Sequence, residues 1–240
     1  MWFTIKSFIL FLCRSTNQHG VHSPFVYDLV TTCFYQKTNP SNVNSIETAK
    51  QWLNNHTEQK IARTSKVKNF SRKKTTLLIR MSAYFKPSSV LEIGTSIGLE
   101  TAALSIGNPV AIINTLEECK NTAFIAQGLF QKLNLKNIKL VVGNFDNTLH
   151  AIIIKDQFDL IYFNGIHREE QLLDCFNLCL QRIHNNSIFI FNEINSSEEM
   201  QQVWITIKKH PKVTISIDTF YCGIIFFRKE QQKQHFTIRV

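Results

Sequence analysis

The sequence predicts an α/β protein: a three-layer sandwich around a mostly parallel seven-stranded sheet that ends in an antiparallel hairpin, with a helical region in front of it. Three observations predict it. Short apolar runs alternate with helical periodicities from Ser88 onward. One of those runs feeds a glycine-bounded turn. The last two runs are joined by too few residues to hold a helix.

The strand-like runs are Val90 to Ile93, Val110 to Leu116, Ile138 to Val142, Phe158 to Phe163 and Ser187 to Ile194. Strands separated by helices cannot pair as hairpins and must lie parallel. Between them, Leu172, Leu173, Phe176, Cys179, Leu180 and Ile183 recur at helical spacing, as do Met200, Val203, Trp204 and Ile207. Ser196 with Glu199 predicts a capping box for the second of these helices. Val213 to Asp218 and Ile224 to Arg228 are separated only by Thr219-Phe220-Tyr221-Cys222-Gly223, which predicts the terminal hairpin.

Residues 1–86 read as a helical N-terminal region and 87–240 as the sheet domain. Ser23-Pro24 pairs an N-cap serine with a proline in the first turn, followed by Val26, Leu29, Val30, Cys33 and Phe34 at helical spacing. Further helices are marked by Ile46, Ala49, Trp52 and Leu53, and by Leu77, Leu78, Met81, Tyr84 and Phe85 up to Lys86-Pro87. The apolar stretch within residues 1–14 is too short to span a bilayer. It predicts a helix packed on the domain, with an interfacial membrane helix as the alternative.

Twenty-seven Lys and Arg against 18 Asp and Glu give a net charge of +9, which favours anionic partners. Segment 60–74 holds seven basic residues and no acid, and reads as a solvated connector or a nucleic-acid contact. The six cysteines form no CxxC pair and no zinc spacing, which predicts a reducing, cytoplasmic setting.

The chemistry concentrates at strand ends. Val90-Leu91-Glu92-Ile93-Gly94-Thr95-Ser96-Ile97-Gly98 runs from a buried strand through a turn into a helix, where backbone amides can receive a carboxylate or phosphate. The spacing is GxxxG, unlike the GxGxxG of nicotinamide proteins. Glu92 suits an ammonium or a water network. Glu117 closes the second strand where ribose hydroxyls are recognised, with Glu118 in reserve. Asn144 offers an amide where an adenine edge would lie. His167 follows the fourth strand as the candidate general base.

With these segments, together with His19-Gly20-Val21-His22-Ser23-Pro24-Phe25, Val141 to Asp146 and Gly223 to Val240, the chain resembles the class I S-adenosylmethionine-dependent methyltransferases. Within them it looks most like a bacterial group related to small-molecule O-methyltransferases. The resemblance implies a Rossmann-like fold and S-adenosylmethionine as cofactor. It implies that Glu92, Gly94, Thr95, Ser96 and Gly98 line the methionine part, Glu117 holds the ribose, and Asn144 and Phe145 flank the adenine.

The chain departs from that family in one direction. Related proteins carry Asp-Gly after the fourth strand and Asp-Asp or Asp-Asn after the fifth, where this chain has Asn164-Gly165 and Asn192-Glu193. Replacing carboxylates by amides removes the charge that holds a divalent cation, so no metal site is expected. Asn195 stands where similar sequences carry His, and Glu100 where they carry Ser.

The leading expectation is metal-independent methyl transfer to an oxygen of a small acceptor, with His167 and Asn164 as the catalytic pair. The alternative is a catalytically degenerate protein of the same fold acting as a binding or scaffold module. A nucleic-acid methyltransferase lacks its Asn/Asp-Pro-Pro-Tyr motif here, and a nicotinamide enzyme is disfavoured by the glycine spacing and the hairpin.

Overall fold

The computed structural model describes residues 2–57, 71–166 and 168–240. Eight strands form one sheet in the order β3-β2-β1-β4-β5-β7-β6-β8. These are β1 (Ser89–Ile93), β2 (Ile112–Glu117), β3 (Ile138–Val142), β4 (Leu160–Phe163), β5 (Ile188–Asn192), β6 (Ile215–Asp218), β7 (Cys222–Phe226) and β8 (Gln234–Thr237). β1 to β5 pair parallel, and β7 lies antiparallel to both β5 and β6. All seven expected strands are present. The eighth, β8, adds parallel to β6 at the sheet edge; its residues Gln-His-Phe-Thr carry one large apolar side chain and gave no strand-like run.

The central strands β1, β4, β5 and β7 are buried on both faces, which explains why they read as continuous apolar runs rather than alternating ones. On one face Val90, Tyr162, Ile190 and Ile224 meet α2 (Pro24–Leu29), α3 (Pro40–Thr57), α4 (Arg72–Phe85), α5 (Leu99–Gly107) and α6 (Lys120–Lys132). On the other, Leu91, Ile161, Phe189 and Ile225 meet α7 (Phe145–Ile153), α8 (Glu169–Cys179) and α9 (Glu198–Lys209).

Leu29, Leu53 and Leu77 from the N-terminal helices are fully buried in the same core as Val90 and Tyr162. Each such side chain contributes about 1.5–3 kcal/mol. α2, α3 and α4 therefore share one core with the sheet.

Local signals set the helix ends. Ser23 and Ser71 cap α2 and α4 through Val26 N and Lys74 N. Lys86, in the left-handed conformation at φ 47°, stops α4 just before Pro87. For α9 the capping serine is Ser197, which accepts from Met200 N at 3.2 Å, one residue later than the expected Ser196.

Of basic segment 60–74, residues up to 70 lie outside the described residues. Lys74 does not belong to a solvated face: it is buried, with its ammonium 2.7 Å from the Glu100 carboxylate. The first helix, α1 (Trp2–Arg14), packs on the domain through Ser7 and Phe11 and leaves its opposite side exposed. No described helix is long and apolar enough to cross a membrane.

Candidate functional site

The carboxyl ends of β1, β2, β4 and β5 converge on the glycine turn. Gly94 stands at φ 98°, a conformation that favours glycine, and a Cβ there would sit 1.6 Å from the Asn164 carbonyl oxygen. Its missing side chain is what lets the β1 and β4 ends touch. Gly98 stands at φ 85°, and a Cβ there would meet the Phe130 ring at 2.7 Å. Both glycines thus serve close chain packing.

Amides of the turn are held rather than free. Gly94 N and Thr95 N both donate to the Leu116 carbonyl at 2.9 Å, which ties the turn to β2. Thr95 Oγ1 lies 2.6 Å from Thr115 Oγ1, fully buried. Ser96 takes a left-handed φ of 53° and donates its amide to Glu117 Oε2 at 2.8 Å. Glu117 Oε1 accepts from Cys119 N at 2.9 Å. The Glu117 carboxylate is therefore fixed in place at the end of β2, each oxygen keeping a further lone pair free to accept.

Glu92 lies deeper than expected. It is fully buried, and Oε2 accepts from Thr101 (2.5 Å) and Thr115 (2.7 Å), while Oε1 has no partner. Burial raises its pKa to about 8. A carboxyl walled in this way braces β1 against β2 and α5.

The adenine end also differs. The Asn144 side chain accepts from Asp146 N at 2.9 Å and caps α7. The Phe145 ring is buried in the core with Leu91, Ile93 and Leu116, so it does not stand free beside a ligand. Its backbone amide donates to Glu118 Oε1 at 3.0 Å. Glu118, the reserve candidate for the ribose, thus holds the first turn of α7.

Across β4 and β5 the two amides that replace acids are joined. Asn192 Nδ2 donates to Asn164 Oδ1 at 2.8 Å, and Asn164 Nδ2 donates to the Gly94 carbonyl at 2.9 Å. Beside them lies a cavity of about 250 Å³ lined by Gly165, Ile166, Asn192, Glu193, Ser197 and Met200. It adjoins a second of about 450 Å³ that shares Ser197 and Met200 and reaches Arg168 and Glu199. His167 lies outside the described residues; its chain neighbours Ile166 and Arg168 line the two cavities.

Glu100, which stands where similar sequences carry Ser, lies in the first turn of α5. It is 2% exposed, and Lys74 neutralises it. Burial disfavours the Lys74 ammonium, and the Glu100 carboxylate outweighs that, so the lysine pKa stands above its ordinary value. Thr101, Thr115 and Lys74 were not singled out in the sequence, because nothing in their spacing links them to the glycine turn.

The strand order, with a cleft over the carboxyl ends of the parallel strands, is that of a class I methyltransferase-like fold. Residues 91–194 match the family described as a methyltransferase domain, the segment that carries the glycine turn, Glu117, Asn144 and Asn164. No curated protein sequence matches the chain significantly.

Among solved structures, the chain is similar to the S-adenosylhomocysteine-bound methyltransferase PaMTH1 of Podospora anserina, at 16% identity and a TM-score of 0.66 over 81% of this chain and 91% of that one. It is similar to the O-methyltransferase TomG of Streptomyces achromogenes, involved in tomaymycin synthesis and solved with S-adenosylmethionine, at 15% identity and 0.60 over 89% and 99%. An O-methyltransferase of Bacillus cereus with S-adenosylhomocysteine matches at 18% identity and 0.57 over 84% and 93%. At these identities the likeness is one of fold.

Proposed function

We propose that this chain is an S-adenosylmethionine-dependent methyltransferase that methylates an oxygen of a small acceptor without a resident metal. The methyltransferase-domain match and the ligands of the fold neighbours support the cofactor. When bound, S-adenosylmethionine supplies a methyl group already activated by its sulfonium, so the protein's work is alignment.

The observation that carries the metal-independent reading is the Asn192–Asn164–Gly94 hydrogen-bond chain. A divalent cation at a strand edge needs charged oxygens. Here Asn164 Oδ1 is spent on the Asn192 amide, and of this group only Glu193 carries charge. The amides close the β1, β4 and β5 ends with neutral hydrogen bonds, so the donor set does not fit Mg²⁺.

In this reading Glu117 accepts from the ribose hydroxyls, its orientation set by Ser96 N and Cys119 N. Gly94, Thr95, Ser96 and Gly98 shape the floor beneath the methionine part, with Glu92 bracing that floor from below. Asn144 and Phe145 position the adenine end through the α7 cap and the Phe145 amide. The acceptor lies in the cavity beside Asn192 and Glu193, and His167 takes its hydroxyl proton. Six free cysteines support a cytoplasmic location.

Labelled methyl transfer from S-adenosylmethionine to a panel of phenols and catechols tests the reading. Product should form equally with and without a chelator, and His167→Ala should lower turnover while sparing cofactor binding. Turnover that requires added Mg²⁺ would overturn the metal-independent assignment.

A further inference from the structure

Helix α1 presents an apolar surface that none of the described residues covers. Of its residues only Ser7 and Phe11 are buried. Trp2 is 79% exposed and Ile9 56%, and Ile5, Phe8, Leu10 and Leu12 are exposed as well. Trp2, Ile5, Ile9 and Leu12 recur at helical spacing and form one outward stripe, more than the scattered apolar residues of an ordinary surface. The stripe is fixed in orientation. Phe8 and Phe11 pack on Phe220 at 4.8 and 5.4 Å, and Gln201 Nε2 donates to Ser7 Oγ at 3.1 Å.

Charge identifies the partner. α1 has no acidic residue and carries Lys6 and Arg14. Arg14 and Lys208 line the groove beside Leu10 and Phe11. The acid in that groove, Asp218, is engaged by Phe220 N at 2.7 Å and by Asn195 Nδ2, with the Lys208 ammonium nearby, which leaves Lys6 and Arg14 as the cations without an acid partner on α1. A second copy packed on α1 about a two-fold axis would set these cations against one another with no acid on α1 to pair them. A bilayer bearing anionic headgroups accepts both features, the apolar stripe at the acyl boundary and the cations at the phosphates.

We propose that α1 is an interfacial helix that docks this protein on an anionic lipid surface, its stripe of Trp2, Ile5, Ile9 and Leu12 entering the lipid and Lys6 and Arg14 meeting the headgroups. Gln201 also donates to Asn195 Oδ1 at 2.9 Å, just beyond Asn192 and Glu193 in the chain, so docking places the proposed acceptor cavity close to the membrane. The surface stands apart from the cofactor cleft, and its test reads binding alone.

The test is flotation of the full chain with phosphatidylcholine vesicles, with and without phosphatidylglycerol, alongside light scattering in the absence of lipid. Binding to the anionic vesicles should exceed that to neutral ones by roughly tenfold or more. Ile5→Ser/Ile9→Ser should abolish it, and Lys6→Ser/Arg14→Ser should remove the anionic preference, both with an unchanged melting temperature because these side chains are exposed. Failure of the wild type to float with anionic vesicles would overturn the proposal. So would a wild-type dimer that Ile5→Ser/Ile9→Ser converts to monomer.

Discussion

The side-chain amide of Asn192 donates to Asn164 Oδ1 at 2.8 Å, and Asn164 passes the bond on to the Gly94 carbonyl. Two adjacent carboxylates could not make this contact without a shared proton or a cation. The amides let the ends of β5, β4 and β1 close on one another with neutral groups only.

Asn164→Asp tests that chain. The carboxylate would face the Gly94 carbonyl oxygen, now 2.9 Å from an amide donor, in a buried site. The expected cost is about 2–4 kcal/mol near neutral pH. Part of it should return in acid, where a protonated Asp can donate again. Urea denaturation at two pH values reads both effects, and a loss independent of pH would argue against the chain.

Lys74 and Glu100 form a buried ion pair at 2.7 Å. Lys74→Met leaves an unpaired buried carboxylate, at a cost of about 3–5 kcal/mol. Lys74→Met/Glu100→Ser removes both charges and should recover most of that loss. Chemical denaturation of the two variants decides; a double variant no more stable than the single one would contradict the pairing.

Glu92 predicts a pH dependence. Burial lifts its pKa from an ordinary 4.5 to about 8, so the folded protein keeps a proton that the unfolded chain has already lost. Its contribution to stability is full below about pH 4.5 and declines as pH rises towards about 8. Glu92→Gln mimics the protonated form and should flatten that decline. At about pH 9 the variant should be more stable than the wild type by ~2 kcal/mol or more. Thermal melts across the range check this.

Much of the fold was legible because central parallel strands buried on both faces leave apolar runs, and because the five residues between the runs Val213 to Asp218 and Ile224 to Arg228 admit only a hairpin. β8 escaped because edge pairing needs no apolar run, and its Gln-His-Phe-Thr sequence supplies none. At the site, the turn, Glu117 and the acid-to-amide changes were visible as local motifs. Lys74 was not, since its pairing with Glu100 depends on how α4 crosses α5; from sequence it belonged to a charged run. The burial of Phe145 was equally hidden, because a strand-end aromatic can face a ligand or the core, and the packing of α7 on Leu91, Ile93 and Leu116 decides between them.

The proposed function requires the fixed Glu117 carboxylate to anchor S-adenosylmethionine over the glycine turn. Calorimetric titration of the wild type and Glu117→Ala with S-adenosylhomocysteine tests it most directly. The account predicts micromolar binding by the wild type and a loss of about tenfold or more in the variant, the scale of a charge-assisted hydrogen bond to ribose. Absence of binding by the wild type would point to a protein that keeps the fold without the cofactor, and equal binding by both would remove Glu117 from the site.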